Sequence, residues 1–494
     1  MRNIIPSART GLVAALLLAS LPSAHAADDT NAEIQALREQ TRLLSQRVDA
    51  LQQQQATNAN QATAPGSATP ATLAVPTGKI NFDDQNGFRI SSADGSSFLH
   101  LGGQIQADTR WYFSQNKGIT NDDAFLIRRA RIILDGQFNN NTTFLVMPDF
   151  GGSSPTLFDA YVNQKVTPEF QLRAGRFKSP SGLEELQNDA WTEFVERSFV
   201  SQLLPNRDIG LDLNGDLFNG TLNYAVGVFD GSPDGQSNGV IVAGAGVAAP
   251  TVNSDSDNNK DVDARLFAQP FKNEAGSPLK GLGFGISATD GRELPASGLT
   301  GYKTESQQTA FTYRTTSVIQ GETWRVSPQA YYYYGPFGFL GEYALSTIHA
   351  RPTLTANNEE QIQNKAWQLT AGYVLTGEDA SYNGVTPKTE FNWADGTWGA
   401  FEVVARYDVL DLDKKLFLPD PTGATSLADP LANPQDVTNY GLGLNWYLSR
   451  NVRASLDFFH GVFTLPTGTT TANTTNARLK SPENAVDARV QIQF

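Results

Sequence analysis

Eight arginines stand where strict alternation along short apolar-polar runs points them to one side of the chain: Arg129, Arg131, Arg173, Arg265, Arg325, Arg406, Arg453 and Arg489. Between residues 179 and 207 the sequence concentrates five acids against two bases, with Glu184, Glu185, Asp189 and Glu193 clustered at its start. Opposed rows of charge in a narrow, low-dielectric-walled space are screened less than in bulk, and they set up a transverse field that orients dipolar, hydrated solutes. The plainer alternative is that each arginine pairs with an acid such as Glu402, Asp408 or Asp457 and stiffens the surface it stands on. Bond-making chemistry has little to work with. Cysteine is absent, His100, His349 and His460 are scattered, and no serine, histidine and orienting group lie together, so no catalytic residue, cofactor or metal is expected. Asp255, Asp257, Asn259 and Asp261 imitate the opening of a calcium loop. Lys260 stands where that loop needs glycine and Leu266 where it needs the bidentate glutamate, so the segment reads as solvated loop.

The elements that must position these charges are strands. From residue 87 to 494 short alternating runs are divided by Gly, Asn, Pro and Asp clusters, the pattern of many antiparallel strands. Leu222, Tyr224, Val226 and Val228 alternate with Asn223, Ala225 and Gly227; Phe401, Val403, Ala405 and Tyr407 alternate with Glu402, Val404, Arg406 and Asp408. Val452, Ala454, Leu456 and Phe458 likewise oppose Arg453, Ser455 and Asp457. Arginine and carboxylate on the polar face suit a wet lumen and not the dry core of a sandwich. Tight turns at 139–141, 167–168, 218–220, 335–336 and 449–451 alternate with long connections at 179–207, 231–261, 289–321, 346–364, 409–437 and 461–484, as in outer-membrane barrels. The stretch 376–398 is long where a short turn is due. Seventeen segments look like strands; turn parity demotes 307–317 to an external loop and leaves a sixteen-stranded antiparallel transmembrane barrel.

Around this wall the sequence supplies export and assembly signals. Arg2 and Arg9 precede the apolar run 11–21, and Ala24-His25-Ala26 fits a small-x-small cleavage site, so 1–26 reads as a signal peptide. The run is too short to span a bilayer as a helix. Ile34, Leu37, Thr41, Leu44, Val48 and Leu51 form a heptad seam, which predicts a short coiled-coil helix over 27–51 on the periplasmic side or, alternatively, a single amphipathic helix lying on another surface. Uncharged, Gln-, Ala- and Thr-rich sequence then predicts a flexible linker over 52–86. Without the leader, 35 basic face 51 acidic side chains, a formal charge of −16 and a poor footprint for nucleic acid. The final run, Ala488 to Phe494, alternates to a terminal phenylalanine, the pattern by which barrel-assembly machinery recognises its clients.

These motifs have a familiar order. Arg128-Arg129-Ala130-Arg131, Asp159-Ala160-Tyr161-Val162, Gly175-Arg176-Phe177-Lys178, Glu196-Arg197-Ser198 and Ile209-Gly210 resemble the phosphate-selective porin O and P family. Tyr373-Val374-Leu375-Thr376-Gly377-Glu378, Trp398-Gly399-Ala400-Phe401-Glu402, Arg406-Tyr407-Asp408 and Gly443-Leu444-Asn445-Trp446-Tyr447 continue the resemblance in the same order. It implies a homotrimer in outer-membrane lipid whose third external loop folds into the pore, with basic residues binding phosphate at the constriction. Arg128 and Arg129 match the family's basic pair there, although alternation places Arg128 on the apolar face with Ala130, Ile132 and Leu134. Where phosphate channels of the family carry loop lysines, this chain carries Glu184, Glu185 and Asp189. The expected protein is therefore a passive channel for small anions or other small hydrophilic solutes, of weak selectivity, in which replacing Glu184 and Glu185 by lysine favours anions. A phosphate- or polyphosphate-selective channel, and an envelope tether whose barrel only anchors the coiled coil, are the rival readings.

Overall fold

The computed structural model describes residues 78–83, 87–113, 123–152, 155–237, 258–293, 299, 301–356, 359–418 and 426–494. The signal peptide, the heptad segment and the linker up to residue 77 lie outside the described residues. All the described strands lie in the unit Pro76–Phe494.

A hairpin of β1 (Lys79–Asp83) and β2 (Gly87–Ser91) comes first. The wall follows with β3 (Phe98–Tyr112), β4 (Ala124–Phe138), β5 (Thr142–Asp149), β6 (Thr156–Thr167), β7 (Phe170–Lys178), β8 (Arg207–Leu217), β9 (Leu222–Phe229), β10 (Asp261–Ala268) and β11 (Leu282–Glu293). A detached pair, β12 (Tyr302–Lys303) and β13 (Thr309–Phe311), interrupts the series. It resumes with β14 (Val318–Tyr334), β15 (Phe337–Arg351), β16 (Glu360–Val374), β17 (Ala400–Asp411), β18 (Asp436–Tyr447), β19 (Val452–Thr464) and β20 (Glu483–Gln493). Strand β20 pairs antiparallel with β3 from Ala485 opposite Tyr112 to Gln493 opposite Gln104, which closes the barrel at sixteen strands among the described residues. Residues 307–317 do not span, as turn parity requires. The wall starts at Phe98 and not at 87, and Lys79–Asp83, within the stretch read as linker, is a strand. That segment, Lys-Ile-Asn-Phe-Asp, alternates too briefly to be distinguished from linker by pattern alone.

Closure leaves no wall edge unpaired, the condition for crossing hydrocarbon. On β17 the residues Glu402, Arg406 and Asp408 are buried inside, whereas Val403 and Ala405 are exposed outside. The outward belt is apolar, with Phe125 85 % exposed and Leu442 61 % exposed. Lipid, not water, is the solvent that such a belt fits. At 139–141 the tight turn is made by Asn139 and Asn140, with φ of 49° and 64°, the left-handed pair a two-residue hairpin favours. Short turns of this kind mark the periplasmic end.

Inside, the lumen is uneven. Ala344, Ile348, Ile362, Ala366, Leu410 and Val437 point inward from the external halves of β15 to β18 and meet Phe199 and Leu203 from the third external loop, Tyr302 and Phe311 from the detached pair, and Leu416 and Leu427 from the loop after β17. These external loops therefore turn into the barrel and build an apolar core against one side of the wall. Apolar residues on both faces of a strand segment cannot be read as a wet lumen, and alternation alone missed this. At the opposite end the long connection between β16 and β17 also enters: Tyr382 stacks on Tyr331, ring centroids 5.3 Å apart, and its hydroxyl donates to the Leu183 carbonyl at 2.6 Å. Further along, Phe391 and Trp398 pack against Trp446 at the outer aromatic girdle.

The inner core yields a test. Phe311 is fully buried among Tyr302, Tyr313 and Phe417. Phe311→Ala should cost about 3–5 kcal/mol, as for a buried phenylalanine elsewhere, and should appear as faster proteolysis of residues 301–317. The barrel itself should keep its unheated gel mobility; unchanged proteolysis would remove this core from the fold.

Candidate functional site

The third external loop, residues 179–206, is the centre of the charged network. It contains one turn of helix, α1 (Leu183–Leu186), followed by an irregular descent to a 3-10 turn at Phe199–Gln202. Its backbone is held by wall side chains: the Glu342 carboxylate accepts from the amides of Leu183 and Glu184, Arg453 donates to the Thr192 carbonyl at 2.8 Å, and Gln491 donates to the Ala190 carbonyl at 2.8 Å. Asp457 and Asp408 accept from the amides of Val195 and Phe199. A loop so short of regular structure meets its backbone hydrogen-bonding needs on the barrel wall.

The loop acids do not confront the arginines across open space, as the sequence suggested. They dock on them. Asp189 is buried between Arg129, Arg131 and Arg197, with Arg129 Nε at 3.2 Å. Burial works against its charge, yet Arg129, Arg197 and Arg131 hold the carboxyl well below the usual carboxylate range. Glu184 reaches Arg406 at 2.5 Å and accepts from Ser198 and Gln368. Glu185 lies 3.5 Å from Arg197. Glu193 accepts from the Tyr333 hydroxyl at 3.0 Å; burial, reinforced by the Glu402 carboxylate, pushes it up to about 7. A carboxylate withdrawn from water is stable only beside cations or donors, so packing the loop into the barrel forces this pairing. Lysine at 184 and 185 would therefore break the loop's seat, which withdraws the expected simple switch toward anions.

Arg128 is a second correction. Between β3 and β4 the register slips, Gln106 opposing Arg129 and Ala107 opposing Ile127, so Arg128 is the extra residue of a β-bulge. The bulge breaks alternation, and Arg128 joins Arg129 inside: its Nε is 2.6 Å from Glu196, which also binds Arg110 at 2.7 Å. Burial alone would raise Glu196, but Arg128, Arg110 and Arg489 keep it well below its ordinary value. Of the remaining arginines, Arg489 meets Asp108 in two 2.7 Å bonds, and Arg325 meets Asp234 at 2.6 Å. Arg265 bonds Gln329 and Asn223, and Arg173 lies 4.9 Å and 5.2 Å from the centroids of the Tyr161 and Phe177 rings. The pairing alternative thus holds for five of the eight, while Arg173, Arg265 and Arg453 have no carboxylate at salt-bridge distance among the described residues.

Beneath the loop a cavity of about 610 Å³ opens between its tip and strands β3 to β8. Leu186, Asn188 and Trp191 line it from the loop; Arg131, Asp159, Arg173, Lys178 and Arg207 line it from the wall. Lys178 donates to the carbonyls of Glu185 and Gln187, and Arg207 pairs with Asp159 at 3.2 Å. Residues that sequence reasoning left aside, Arg110, Glu196 and Lys178, prove central; the alternating run Gln104, Gln106, Asp108, Arg110 on β3 was the available signal.

A family model for phosphate-selective porin O and P matches residues 99–494. The chain belongs to that family and is an outer-membrane porin. Among solved structures it is similar to the trimer form of in-vitro folded OmpT of Vibrio cholerae, at 10 % identity over 81 % of this chain and 100 % of that one, TM-score 0.47. It is also similar to the outer-membrane channel DcaP of Acinetobacter baumannii (12 %, 81 % and 98 %, TM-score 0.46) and to Salmonella typhi OmpF in complex with daunomycin (15 %, 81 % and 98 %, TM-score 0.46). No curated protein matches the chain.

Asp189 gives the sharpest test of the docking. Asp189→Asn leaves three guanidinium groups short of their shared anion, and removing one partner of a buried pair costs about 3–5 kcal/mol. The expected result in planar bilayers is a shift of reversal potential toward anions, with noisier current as the loop loosens. A wild-type potential and quiet traces would show that Asp189 does not hold the loop.

Proposed function

We propose that the chain forms a passive diffusion channel for small hydrophilic solutes and ions, with a weak preference for anions and no catalytic step. The observation that carries this reading is the inequality of the charges left over. The loop acids Glu184, Glu185, Asp189 and Glu196 are committed to arginines, whereas Arg173, Lys178 and Arg450 line the cavity with no carboxylate at salt-bridge distance among the described residues. Paired charges a few ångströms apart act on a passing ion as dipoles, whose field falls off faster than that of a lone cation. A few leftover cations beside the paired network favour anions modestly, and the mixed cavity lining supports broad admission.

Phosphate selectivity is the second reading, favoured by the family's name and by Arg173 and Lys178. We further propose a homotrimer, recognition of the strand ending at Phe494 by barrel-assembly machinery, and a periplasmic helix over 27–51 that tethers through the linker. Deleting 27–78 should loosen the envelope while single-channel conductance persists, which tests the last point.

For selectivity, Arg173→Gln combined with Lys178→Gln should bring the reversal potential in a potassium chloride gradient close to zero while the channel still conducts. Block of wild-type chloride current by micromolar phosphate would replace the weakly selective reading with the phosphate channel. An unchanged potential in the double variant would remove these two residues as its source.

A further inference from the structure

The β1–β2 hairpin lies outside the wall, and nothing in the conduction pathway uses it. Its register decides which face it shows. Ile80 pairs with Ile90 and Phe82 with Phe88; across the next ladder Ile90 pairs with Leu99 and Phe88 with Leu101. Residues opposite one another in a ladder share a face, so these six apolar side chains form one surface. All are exposed, Ile80 by 69 % and Phe82 by 76 %. Leu99 and Leu101 belong to β3, where Ile105 continues the same outward line into the lipid belt. The other face carries Asn81, Arg89 and His100.

We propose that this hairpin is a lipid-binding foot, seating the barrel in the head-group layer of the periplasmic leaflet. The occupant follows from continuity: the apolar surface is a direct extension, through β3, of the belt that lipid already covers. The depth follows from hydrogen bonding. Strand β2 pairs with β3 only over 98–101, while β20 takes β3 from Gln104 onward, so the hairpin lies on the periplasmic side of Phe494. Strand β1 has no partner on its outer edge among the described residues. An open edge is excluded from hydrocarbon but tolerated where water and head groups satisfy its amides and carbonyls. The hairpin therefore rests at the interface, with Phe82 and Ile80 reaching toward the acyl chains as interfacial apolar groups do. Lys79, at the start of β1, brings a cation to the level of the lipid phosphates.

The chain lacks cysteine, so single nitroxide labels report without background. Full-length Ile80→Cys, Phe82→Cys and Asn81→Cys would each be labelled, reconstituted in phospholipid bilayers and examined by power-saturation electron paramagnetic resonance. Labels at 80 and 82 should be several-fold more accessible to oxygen than to a water-soluble nickel chelate, and the label at 81 the reverse. Nickel access at all three positions would place the hairpin in water. Protection from both agents with spin-spin broadening would place its face against a second copy of the chain. Either result overturns the proposal. A label at Leu442→Cys, on the belt itself, separates this from the porin reading: if it too is exposed to nickel, the barrel assignment fails and not only the foot.

Discussion

Charge withdrawn from water needs a partner, and that one requirement organises the interior of this barrel. The third external loop enters the lumen carrying five acids, and four of them meet guanidinium groups: Arg406 for Glu184, Arg197 for Glu185, the Arg129, Arg131 and Arg197 group for Asp189, and Arg110, Arg128 and Arg489 for Glu196; Glu193 instead accepts from the Tyr333 hydroxyl. The same requirement runs in reverse. Guanidinium groups on a narrow wall would repel one another, and the loop gives them anions. Loop and wall are thus two halves of a single network, since removing a member from either strands a charge on the other.

The apolar core beside this network sets where the open space lies. The third loop, the detached pair and the loop after β17 fill the external side of the lumen against β15 to β18. Space remains below the loop against β3 to β8, where the cavity opens. The connection between β16 and β17 supports the arrangement from the other end: Tyr382 bonds the Leu183 carbonyl, Gln187 donates to the Tyr382 carbonyl, and a side chain at Gly384 would meet the Trp191 ring at 2.6 Å. Burial of aromatic and aliphatic surface on one side and ion pairing on the other hold the loop against two kinds of surface at once.

Much of this was legible in the chain. The two-residue period of strands such as β17 and β19 gave their faces, because lipid outside and water or charge inside impose opposite polarities on adjacent residues. Turn parity removed 307–317 from the wall. What alternation could not reveal were departures from its own premise. A one-residue bulge turned Arg128 inward, and nothing in Arg-Arg-Ala-Arg announces a bulge. Inward-facing Ile348, Ile362 and Leu410 broke the rule of a polar lumen because loops distant in sequence cover them. The acids at 184–193 were placed in the correct loop with the wrong orientation, since composition reports charge but not what it touches.

That last difference changes how selectivity must be reasoned. Counting charges over 179–207 gives an acidic loop and suggests a field that offsets the arginine wall. Once four of the five acids are seated on arginines, their contribution is spent at short range, and an ion in the cavity senses mainly the groups that lack such a partner. Around the cavity Arg173 and Lys178 on β7 and Arg450 have no carboxylate at salt-bridge distance among the described residues, although Asp212 stands opposite Arg173 in the β7–β8 ladder; Arg207 on β8 is balanced by Asp159. A sum over residues would assign the pore a negative bias, whereas the proposed weak anion preference rests on the cavity cations that have no salt-bridge partner. The sign is decided by burial and pairing, which belong to the fold, and not by composition.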